Sequence, residues 1–276
     1  MAARDATPES PRRVTVVTGG SEGIGLAIAH RFAALRHDLL LVARRPDALV
    51  AAAAALRAQY GVRVDVLVLD ITDAGAAFAI EAALADAGAV AEIVVNNAGI
   101  GLSGAFVEQS PQAIEALIAL NITALTRLMR HLAPGMRARG SGGFLNIASL
   151  GGYVPGPYQA VYYASKAYVI SLSGALAAEW SGEGVRVCVV APGPVETRFH
   201  AKMAAEGSLY RRLLPSPGPD VIAWWAVRGY TLGLRLVMPG FLAFIALVAL
   251  RFMPHRLVIP IVAVLLKPRG PERHDA

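Results

Sequence analysis

A tyrosine and a lysine lie four residues apart at Tyr162 and Lys166, in a segment that is predicted to be helical. Residues at i and i+4 share one face of a helix, so the phenol and the ammonium can approach the same bound molecule. Neither Tyr158 nor Tyr163 has a lysine at that spacing. A cation beside a tyrosine favours the phenolate and lowers the pKa of the phenol, which makes it a proton donor and acceptor. An exposed helix pair without a chemical role has the same spacing, so the rest of the chain must decide.

A glycine-rich turn, Thr18 to Gly25, follows the first predicted strand and opens the first predicted helix. Glycines let the backbone approach a pyrophosphate, and the amino end of the helix offers amide donors and a positive dipole. Ordinary tight turns also use glycine, so the position between strand and helix is what favours nucleotide binding. The candidate cofactor contacts in this turn are Gly19, Ser21, Glu22, Gly23, Ile24 and Gly25.

The second predicted strand ends in two arginines, Arg44 and Arg45. An NAD-binding fold usually has a carboxylate here for the ribose 2′-hydroxyl, whereas two guanidiniums suit the 2′-phosphate of NADP(H). A solvated arginine pair at the strand edge is the alternative. The sequence therefore predicts NADP(H) in preference to NAD(H). Asp70, which closes the third predicted strand, can accept a hydrogen bond from the adenine amino group.

Short runs rich in β-branched residues alternate with longer helical segments, which is typical of a parallel sheet wrapped by helices. The predicted strands are Val14 to Thr18, Asp38 to Ala43, Arg63 to Leu69, Glu92 to Asn96, Gly143 to Ala148 and Val185 to Val190. Their continuous apolar character indicates that both faces of the sheet are covered. The predicted helices are Ile24 to Leu35, Asp47 to Tyr60, Asp73 to Ala87, Pro111 to Arg139 and Ala160 to Trp180. We predict an α/β fold of the Rossmann type, a doubly wound parallel sheet, in one domain over residues 12–240.

The composition excludes several classes of protein. Hydrophobic residues make up 55% of the chain and charged residues 17%. This composition is too apolar for a largely disordered protein. The net charge of +6 is carried mostly by arginine and permits contact with phosphate or anionic lipid. No dense basic stripe with interleaved aromatic residues occurs, so we expect no nucleic-acid partner. The six histidines show no ligand spacing and cysteines form no cluster, so no metal site is predicted.

The cysteine count and the amino terminus bear on the compartment. Cys188 is the single cysteine and lies in an apolar run, so we expect it to be buried in a strand. One thiol cannot form an internal disulfide, which fits a reducing compartment. Residues 1–11 are polar and lack the apolar core of a signal peptide. We therefore predict a disordered amino-terminal tail and a cytoplasmic protein.

Over about residues 12–200 the chain resembles the short-chain dehydrogenase/reductase family. The resemblance is carried by Thr18 to Gly25, Asp70, Asn96 to Gly99, Asn121, Ser149, Tyr162, Lys166 and Pro192 to Thr197. Their order and spacing agree with the family, which favours a chemical role for Tyr162 over a chance spacing. The resemblance implies an NAD(P)-dependent oxidoreductase that transfers a hydride between a nicotinamide and a carbonyl or alcohol carbon.

The resemblance also implies a catalytic set of Asn121, Ser149, Tyr162 and Lys166. In the reductive direction, Tyr162 would protonate the developing alkoxide, and Ser149 would donate to the same substrate oxygen. Lys166 would lower the pKa of Tyr162 and hydrogen-bond the nicotinamide ribose. Asn121 would bind the water of a proton relay behind Lys166. A plain strand-end serine and a helix-interior asparagine without function are the alternatives.

Further cofactor contacts are implied beyond the glycine turn. The turn after the fourth strand would line the adenosine ribose, and the segment after the sixth would hold the nicotinamide amide; Asn97 is more readily structural than chemical. The implied contacts are Arg44, Arg45, Asp70, Ile71, Asn97, Ala98, Gly99, Tyr162, Lys166, Pro192, Gly193, Val195 and Thr197.

The chain departs from the commonest family pattern near its carboxyl end. After a last strand predicted at Leu236 to Gly240, two apolar runs follow, Phe241 to Leu250 and Leu257 to Leu266. Each has about ten residues, whereas a spanning helix needs about 20. We predict an apolar helical extension over residues 241–276 with cationic edges, lying on a membrane surface at the cytoplasmic face. A subunit interface, a lid over an apolar substrate, and a spanning helix from Leu232 to Leu250 are the alternatives.

This tail resembles those of family members that reduce long-chain acyl ketones, including 3-ketosphinganine and 3-oxoacyl reductases. The resemblance implies an NADPH-dependent enzyme that reduces a hydrophobic or lipid-like ketone to a secondary alcohol. A membrane-associated dinucleotide-binding protein with little turnover is the alternative, against which the complete catalytic set argues. Residues 196–219 are expected to form a mobile substrate loop. Because family members associate through the fourth and fifth helices, we expect a homodimer or tetramer.

Overall fold

Within the described part of the chain, the strands run parallel in one seven-stranded sheet, in the order β3-β2-β1-β4-β5-β6-β7. The computed structural model describes residues 11–196, 209, 216–240 and 253–267. The strands are β1 (Arg12–Thr18), β2 (Asp38–Ala43), β3 (Val64–Val68), β4 (Ala89–Asn96), β5 (Gly142–Ile147), β6 (Val185–Val190) and β7 (Leu236–Val237). The predicted α/β fold of the Rossmann type is confirmed.

Helices cover both faces of this sheet. Within the described residues they are α1 (Gly23–Ala34), α2 (Pro46–Tyr60), α3 (Ala76–Asp86), α4 (Pro111–Ile118), α5 (Leu125–Arg139), α6 (Ala160–Glu179), α7 (Pro219–Thr231) and α8 (His255–Leu266). A π-helical segment, Ala119–Ala124, joins α4 to α5, and the short 3₁₀ helices Phe106–Glu108 and Leu150–Tyr153 lie in loops.

Local sequence signals account for several helix ends. At the start of α4, the Ser110 side chain accepts a hydrogen bond from the Ala113 amide, and Pro111 occupies the first turn, where no amide hydrogen is needed. The end of α2 is set by Gly61, whose φ of +67° lies in the left-handed region. The predicted start of α4 is thus confirmed.

The apolar strands have a hydrophobic core on each face. On one face, α1, α2 and α7 pack over side chains such as Leu41 and Val95. On the other, α3, α5 and α6 pack over side chains such as Val16 and Phe144. Because both faces are buried, a ligand can reach the sheet only at the ends of its strands. At the carboxyl edge, the loops carry polar side chains toward solvent.

The structure corrects three expectations and adds one helix. The helix predicted over Pro111 to Arg139 is interrupted by the π-helical segment, and α3 begins at Ala76 because the residues before it form a turn. The sequence analysis did not predict α7. The alternative of one helix from Leu232 to Leu250 is wrong, because Leu236 and Val237 form the edge strand β7. The apolar run Phe241 to Leu250 lies outside the described residues.

Candidate active site

The predicted site segments follow the carboxyl ends of neighbouring strands. The glycine turn follows β1, Asn97–Gly99 follows β4, Ser149 follows β5, and Pro192 begins the segment just beyond β6. Since these strands are adjacent and parallel, the four segments lie side by side at one edge of the sheet. A cavity of about 650 Å³ lies at the opposite edge, near the amino ends of β5 and β6, and contains none of the predicted site residues. The carboxyl edge is therefore the candidate active site.

The glycine turn has a shape that side chains would prevent. Gly19 has a φ of +65°, which favours glycine. A Cβ atom placed on Gly25 would lie 2.4 Å from the Gly19 carbonyl oxygen and 2.4 Å from the Asn97 Nδ2 atom. The amino end of α1 consequently lies directly against the turn. This arrangement fits a bound pyrophosphate, which needs exposed backbone amides and a close helix amino terminus. Ser21, Glu22 and Ile24 are half-buried on the same turn.

Side-chain hydrogen bonds join the glycine turn to the turn after β4. The Thr18 hydroxyl donates to the Val95 carbonyl at 3.0 Å and accepts from the Asn97 amide at 3.1 Å. The Asn97 side chain donates to the carbonyls of Thr18 and Gly19 at 3.0 and 3.3 Å. Asn97 thus has the structural contacts that were expected of it. Ala98 and Gly99 follow in the same turn.

Arg44 and Arg45 are exposed at the end of β2, and each is paired with a carboxylate. Arg44 lies 3.4 Å from Asp70, and Arg45 lies 2.7 Å from Glu22. Burial acts to raise the pKa of Asp70, but hydrogen bonds from Thr72 and the charge of Arg44 outweigh it and hold the pKa below its ordinary value. The two guanidiniums therefore lie between the glycine turn and Asp70, with Ile71 next in the chain.

Tyr162 and Lys166 share one face of α6, as predicted. The Lys166 Nζ atom lies 5.8 Å from the centroid of the Tyr162 ring and donates a hydrogen bond of 2.9 Å to the Ile147 carbonyl. Lys166 is 7% exposed, and burial lowers its pKa to about 8. Tyr162 is half-buried. The structure thus brings an ammonium that is poorly solvated close to a phenol that is still accessible.

Ser149 lies two residues beyond Ile147, at the end of β5. Its side chain accepts a hydrogen bond from the Gly151 amide at 3.1 Å and caps the 3₁₀ helix that follows. This bond uses an oxygen lone pair and leaves the hydroxyl hydrogen available to donate. The Leu150 amide donates to the Pro192 carbonyl at 2.9 Å, so the Ser149 turn is attached to the segment after β6.

Asn121 is buried in the π-helical segment, and its side-chain amide is almost fully used. Its Oδ1 atom accepts from the Ile100 amide at 2.9 Å, while its Nδ2 atom donates to the Ile100 carbonyl and to the Ser165 hydroxyl at 2.8 and 3.1 Å. A Cβ atom on Gly99 would lie 3.1 Å from Asn121 Oδ1 and 3.6 Å from Lys166 Nζ, so these residues converge. Of the Asn121 side chain, only the second Oδ1 lone pair is left by these hydrogen bonds.

The last predicted cofactor segment is only partly described. Pro192 and Val195 are buried and Gly193 is half-buried beside the Ser149 turn. Thr197 lies outside the described residues, as does most of the predicted substrate loop.

The helix α8 packs beside this site. Val258, Val262 and Leu266 form a small apolar cluster with Val154 and Tyr163. The Tyr163 ring itself lies against the backbone between β5 and α6, where a Cβ atom on Gly156 would lie only 2.3 Å from the ring. The centroids of the Tyr163 and Tyr162 rings are 6.1 Å apart, so α8 reaches the flank of the candidate site.

Several polar residues at the site had no signal in the sequence analysis. Ser165 is fully buried and donates to the Tyr162 carbonyl at 2.7 Å while accepting from Asn121. Asn146 and Ser173 form a buried hydrogen bond between β5 and α6. A polar residue on the otherwise apolar strand β5 is the one signal that could have indicated Asn146.

Two kinds of feature are absent from the described residues. No group of three or more His, Cys, Asp or Glu side chains is placed to hold a metal ion. No helix within those ranges is long and apolar enough to cross a bilayer.

A parallel sheet of this order with a glycine turn after β1 defines a dinucleotide-binding fold of the Rossmann class. The family described as short chain dehydrogenase matches residues 13–207. The chain belongs to the short-chain dehydrogenase/reductase family and is an oxidoreductase that uses a nicotinamide cofactor.

Three similar proteins illustrate the range of the family. The galactitol 2-dehydrogenase (L-tagatose-forming) of Cereibacter sphaeroides is 38% identical over 200 residues, which cover 72% of this chain and 77% of that protein. A short-chain dehydrogenase from Sphingobium yanoikuyae, solved in complex with NADPH, has a TM-score of 0.77 and 33% identity, covering 95% of this chain and 100% of that one. A bulky-bulky ketone specific alcohol dehydrogenase from Comamonas testosteroni has a TM-score of 0.72 and 29% identity, covering 96% and 99%.

Proposed function

We propose that the protein reduces an apolar or lipid-like ketone to a secondary alcohol with NADPH. The observation that carries the proposal is the arrangement of Tyr162 and Lys166 on one face of α6, with Lys166 anchored to Ile147, the last residue of β5 and two residues before Ser149. A half-buried phenol, a poorly solvated ammonium and a serine hydroxyl at one sheet edge are the groups that carbonyl reduction requires.

The residues of the chain manage the proton and the charge in this reaction. Ser149 donates a hydrogen bond to the carbonyl oxygen of the ketone, and Tyr162 donates its phenolic proton to the same oxygen as negative charge develops there. Lys166 stabilises the resulting phenolate. Asn121 fixes the backbone behind Lys166, and a water bound there can return a proton to the Tyr162 phenolate. The nicotinamide supplies the hydride.

The cofactor would be held by the glycine turn and by the two arginines. The turn suits the pyrophosphate, and Arg44 and Arg45 suit a 2′-phosphate because a guanidinium binds it through paired hydrogen bonds. Asp70 would accept from the adenine amino group with the lone pairs that Thr72 and Arg44 leave. The NADPH in the Sphingobium yanoikuyae structure supports this preference over NADH.

An apolar substrate is supported by the surroundings of Tyr162. The neighbouring Tyr163 and the adjacent Val154 contact α8, so apolar side chains flank the site on the side of the carboxyl-terminal extension. The name of the Comamonas testosteroni enzyme indicates that this fold accommodates bulky ketones. We therefore assign the inner face of α8 to the wall of the substrate pocket, which agrees with the lid alternative.

The proposal is tested by NADPH oxidation with 3-oxo esters of graded chain length. We expect kcat/KM to rise by about two- to fourfold for each methylene that the pocket buries, because burial of one methylene contributes roughly 0.8 kcal/mol. The same series with NADH is the control, and NADPH is expected to be used at least tenfold better. Equal rates with NADH would contradict the interpretation of Arg44 and Arg45. NADPH binding without turnover of any ketone would favour the non-catalytic alternative.

We further propose that the outer face of α8 lies on an anionic membrane surface. Leu257, Ile261 and Val264 follow one another along this face and are 52%, 44% and 60% exposed. Arg256 and Lys267 are exposed at the two ends of the helix. Twelve residues of helix span about 18 Å, too short to cross the roughly 30 Å hydrocarbon core, so the helix would lie along the interface. A lipid substrate would then reach the site from the membrane.

Val264→Glu is expected to weaken binding to vesicles of phosphatidylserine and phosphatidylcholine about tenfold or more. The change removes buried apolar area and brings a negative charge to an anionic surface. Val50→Glu is the matched control, because Val50 on α2 is 52% exposed and carries the same substitution. Co-sedimentation with the vesicles measures the effect. Parent protein that stays in the supernatant would contradict the membrane proposal and leave the proposed chemistry intact.

We propose a homo-oligomer, and besides the helices α4, α5 and α6 that the family resemblance implies, α7 offers a second candidate surface. Trp224 and Trp225 are 40% and 45% exposed there, and large exposed aromatic side chains are typical of interfaces. Sedimentation equilibrium of the parent protein measures the number of subunits. A cytoplasmic location is also proposed, because Cys188 is a buried free thiol and a single cysteine cannot form an internal disulfide.

A further inference from the structure

Two hydrogen bonds fasten α6 to β5 at successive residues of the strand. The Ile147 carbonyl accepts from Lys166 at 2.9 Å. The preceding residue, Asn146, donates through Nδ2 to the Ser173 hydroxyl at 2.9 Å. Asn146 and Ser173 are 0% and 1% exposed, so water does not compete for their bond. The helix is thus held to the strand at two buried points.

The distance between these two hydrogen bonds along α6 determines which movements of the helix they prevent. Lys166 and Ser173 are seven residues apart, which is about two helical turns or roughly 10 Å along one face of α6. A helix held at one point can still pivot about it, whereas two points fix its direction and its position along the strand. Tyr162 lies one turn before Lys166, and Ser149 lies two residues after Ile147. The two bonds therefore set the separation of the phenol and the serine hydroxyl.

The surroundings of Asn146 show that its hydrogen bonds are complete and its environment is otherwise apolar. Its Oδ1 atom accepts from Asn96 Nδ2 at 2.8 Å, and its Nδ2 atom also lies 3.4 Å from the Met129 sulfur. Ser173 donates onward to the Val169 carbonyl at 2.6 Å.

Phe144 and Ala148, which flank Asn146 on the same face of β5, belong to the apolar core that packs under α6. Replacing buried polar partners by apolar side chains of similar shape is often neutral for stability. Stability alone therefore does not require a polar side chain at position 146. A polar side chain is required if the position of α6 is to be fixed by a directional hydrogen bond.

We propose that Asn146 and Ser173 are positioning residues that hold Tyr162 at its working distance from Ser149. The proposal rests on the proposed function, because the bond acts on the reaction only through the phenol and the hydroxyl. Asn146 accepts from Asn96 at the same time, so the strand β4 that carries the Asn97 turn is fixed to the same assembly.

Ser173→Ala tests this proposal. We expect kcat per folded enzyme to fall about tenfold, the Kd for NADPH to stay within twofold, and the primary deuterium isotope effect on kcat to rise as hydride transfer becomes rate-limiting. Ser173→Thr keeps a hydroxyl and is expected to restore kcat to within about twofold. The combination of a lower rate, a larger isotope effect and rescue by threonine is not what a general loss of stability produces.

Thr126→Val is the matched control. The Thr126 hydroxyl is hydrogen-bonded to the Tyr168 hydroxyl of α6 at 2.9 Å, so the change removes another tie to the same helix without touching β5. It is expected to lower Tm by a similar amount and to leave kcat and the isotope effect unchanged. If Ser173→Ala does not fold, Ser173→Cys keeps the volume, weakens the bond and is expected to lower kcat about threefold.

The outcomes separate the two levels of the proposal. A Ser173→Ala enzyme that loses only Tm, with the kcat and isotope effect of the parent, overturns the positioning role while the proposed chemistry stands. A Tyr162→Phe enzyme as active as the parent overturns the proposed chemistry itself.

Discussion

Replacing Tyr162 by phenylalanine is expected to lower kcat for ketone reduction by about a thousandfold, within the range that a positioned general acid contributes. The phenyl ring fills the same space in α6, so the fold and the neighbouring Lys166 remain in place. The substitution removes the phenolic hydroxyl, which is the proposed proton donor, whereas Lys166 keeps its hydrogen bond to the Ile147 carbonyl. The Kd for NADPH, measured by fluorescence titration, is expected to change by less than threefold.

Tyr168→Phe is the control for this substitution. Tyr168 lies on the same helix, and its hydroxyl bonds to Thr126 of α5, which is not among the proposed catalytic residues. Its loss is expected to cost a fraction of Tm and less than twofold in kcat. Stopped-flow measurement of NADPH oxidation compares the two variants with the parent. If Tyr162→Phe and Tyr168→Phe had similar rates, the phenol would have no part in the chemistry.

The periodic part of the fold was predictable because its signal is local. The boundaries of β6 were predicted to the residue, since Val185 to Val190 is a run of apolar residues, broken only by the exposed Arg186, that a parallel sheet buries. Ser110 and Pro111 fixed the start of α4 for the same reason, as capping depends on adjacent residues. Tyr162 and Lys166 could be placed on one face because the helical repeat alone determines it.

The contacts around the site were not predictable because they join distant parts of the chain. Arg44 and Arg45 were predicted as a phosphate-binding pair, and the structure shows each against a carboxylate, Asp70 or Glu22, from another turn. At the interruption of the helix, the Asn121 side chain bonds to Ile100 and Ser165, which are distant from it in the chain. Neither the ion pairs nor the hydrogen bonds of Asn121 are reflected in a periodic pattern of the sequence.

The ion pairs also bear on how the cofactor is admitted. A phosphate that binds Arg45 must share it with Glu22, which belongs to the glycine turn, so the arginine and the turn form one surface at the end of β2. Exposed ion pairs contribute little to stability, typically below 1 kcal/mol. The cost of rearranging them for a charged ligand is correspondingly small.

Replacing Lys166 by methionine is expected to lower kcat by about a hundredfold or more, the scale found when one preorganised charge or donor is removed. Methionine fills the space of the buried lysine side chain but carries no charge, so it cannot stabilise the Tyr162 phenolate. The Kd for NADPH is also expected to rise, because the proposed bond to the ribose is lost. A variant with the kcat of the parent would show that Tyr162 needs no neighbouring cation.

The same substitution is expected to make the cofactor-free protein more stable at neutral pH. Burial lowers the pKa of Lys166 from 10.5 to about 8, so below pH 8 the folded protein holds a poorly solvated charge. Between pH 8 and 10.5 the unfolded chain binds the proton that the folded protein has released, so the parent gains stability as the pH rises. The shift corresponds to roughly 3 kcal/mol at most, reduced by the lost bond to Ile147.

Urea unfolding of both proteins from pH 7 to pH 10 measures this difference. Lys166→Met is expected to be the more stable protein at pH 7, and its advantage is expected to shrink as the pH approaches 10.5. The pKa values of Cys188 and Tyr230 are raised by burial, and both groups are present in each protein, so their titration cancels in the comparison. Parallel pH profiles of the two proteins would show that the pKa of Lys166 is not lowered in the folded protein. A stability gain with a loss of rate would show that the fold retains this buried charge for catalysis.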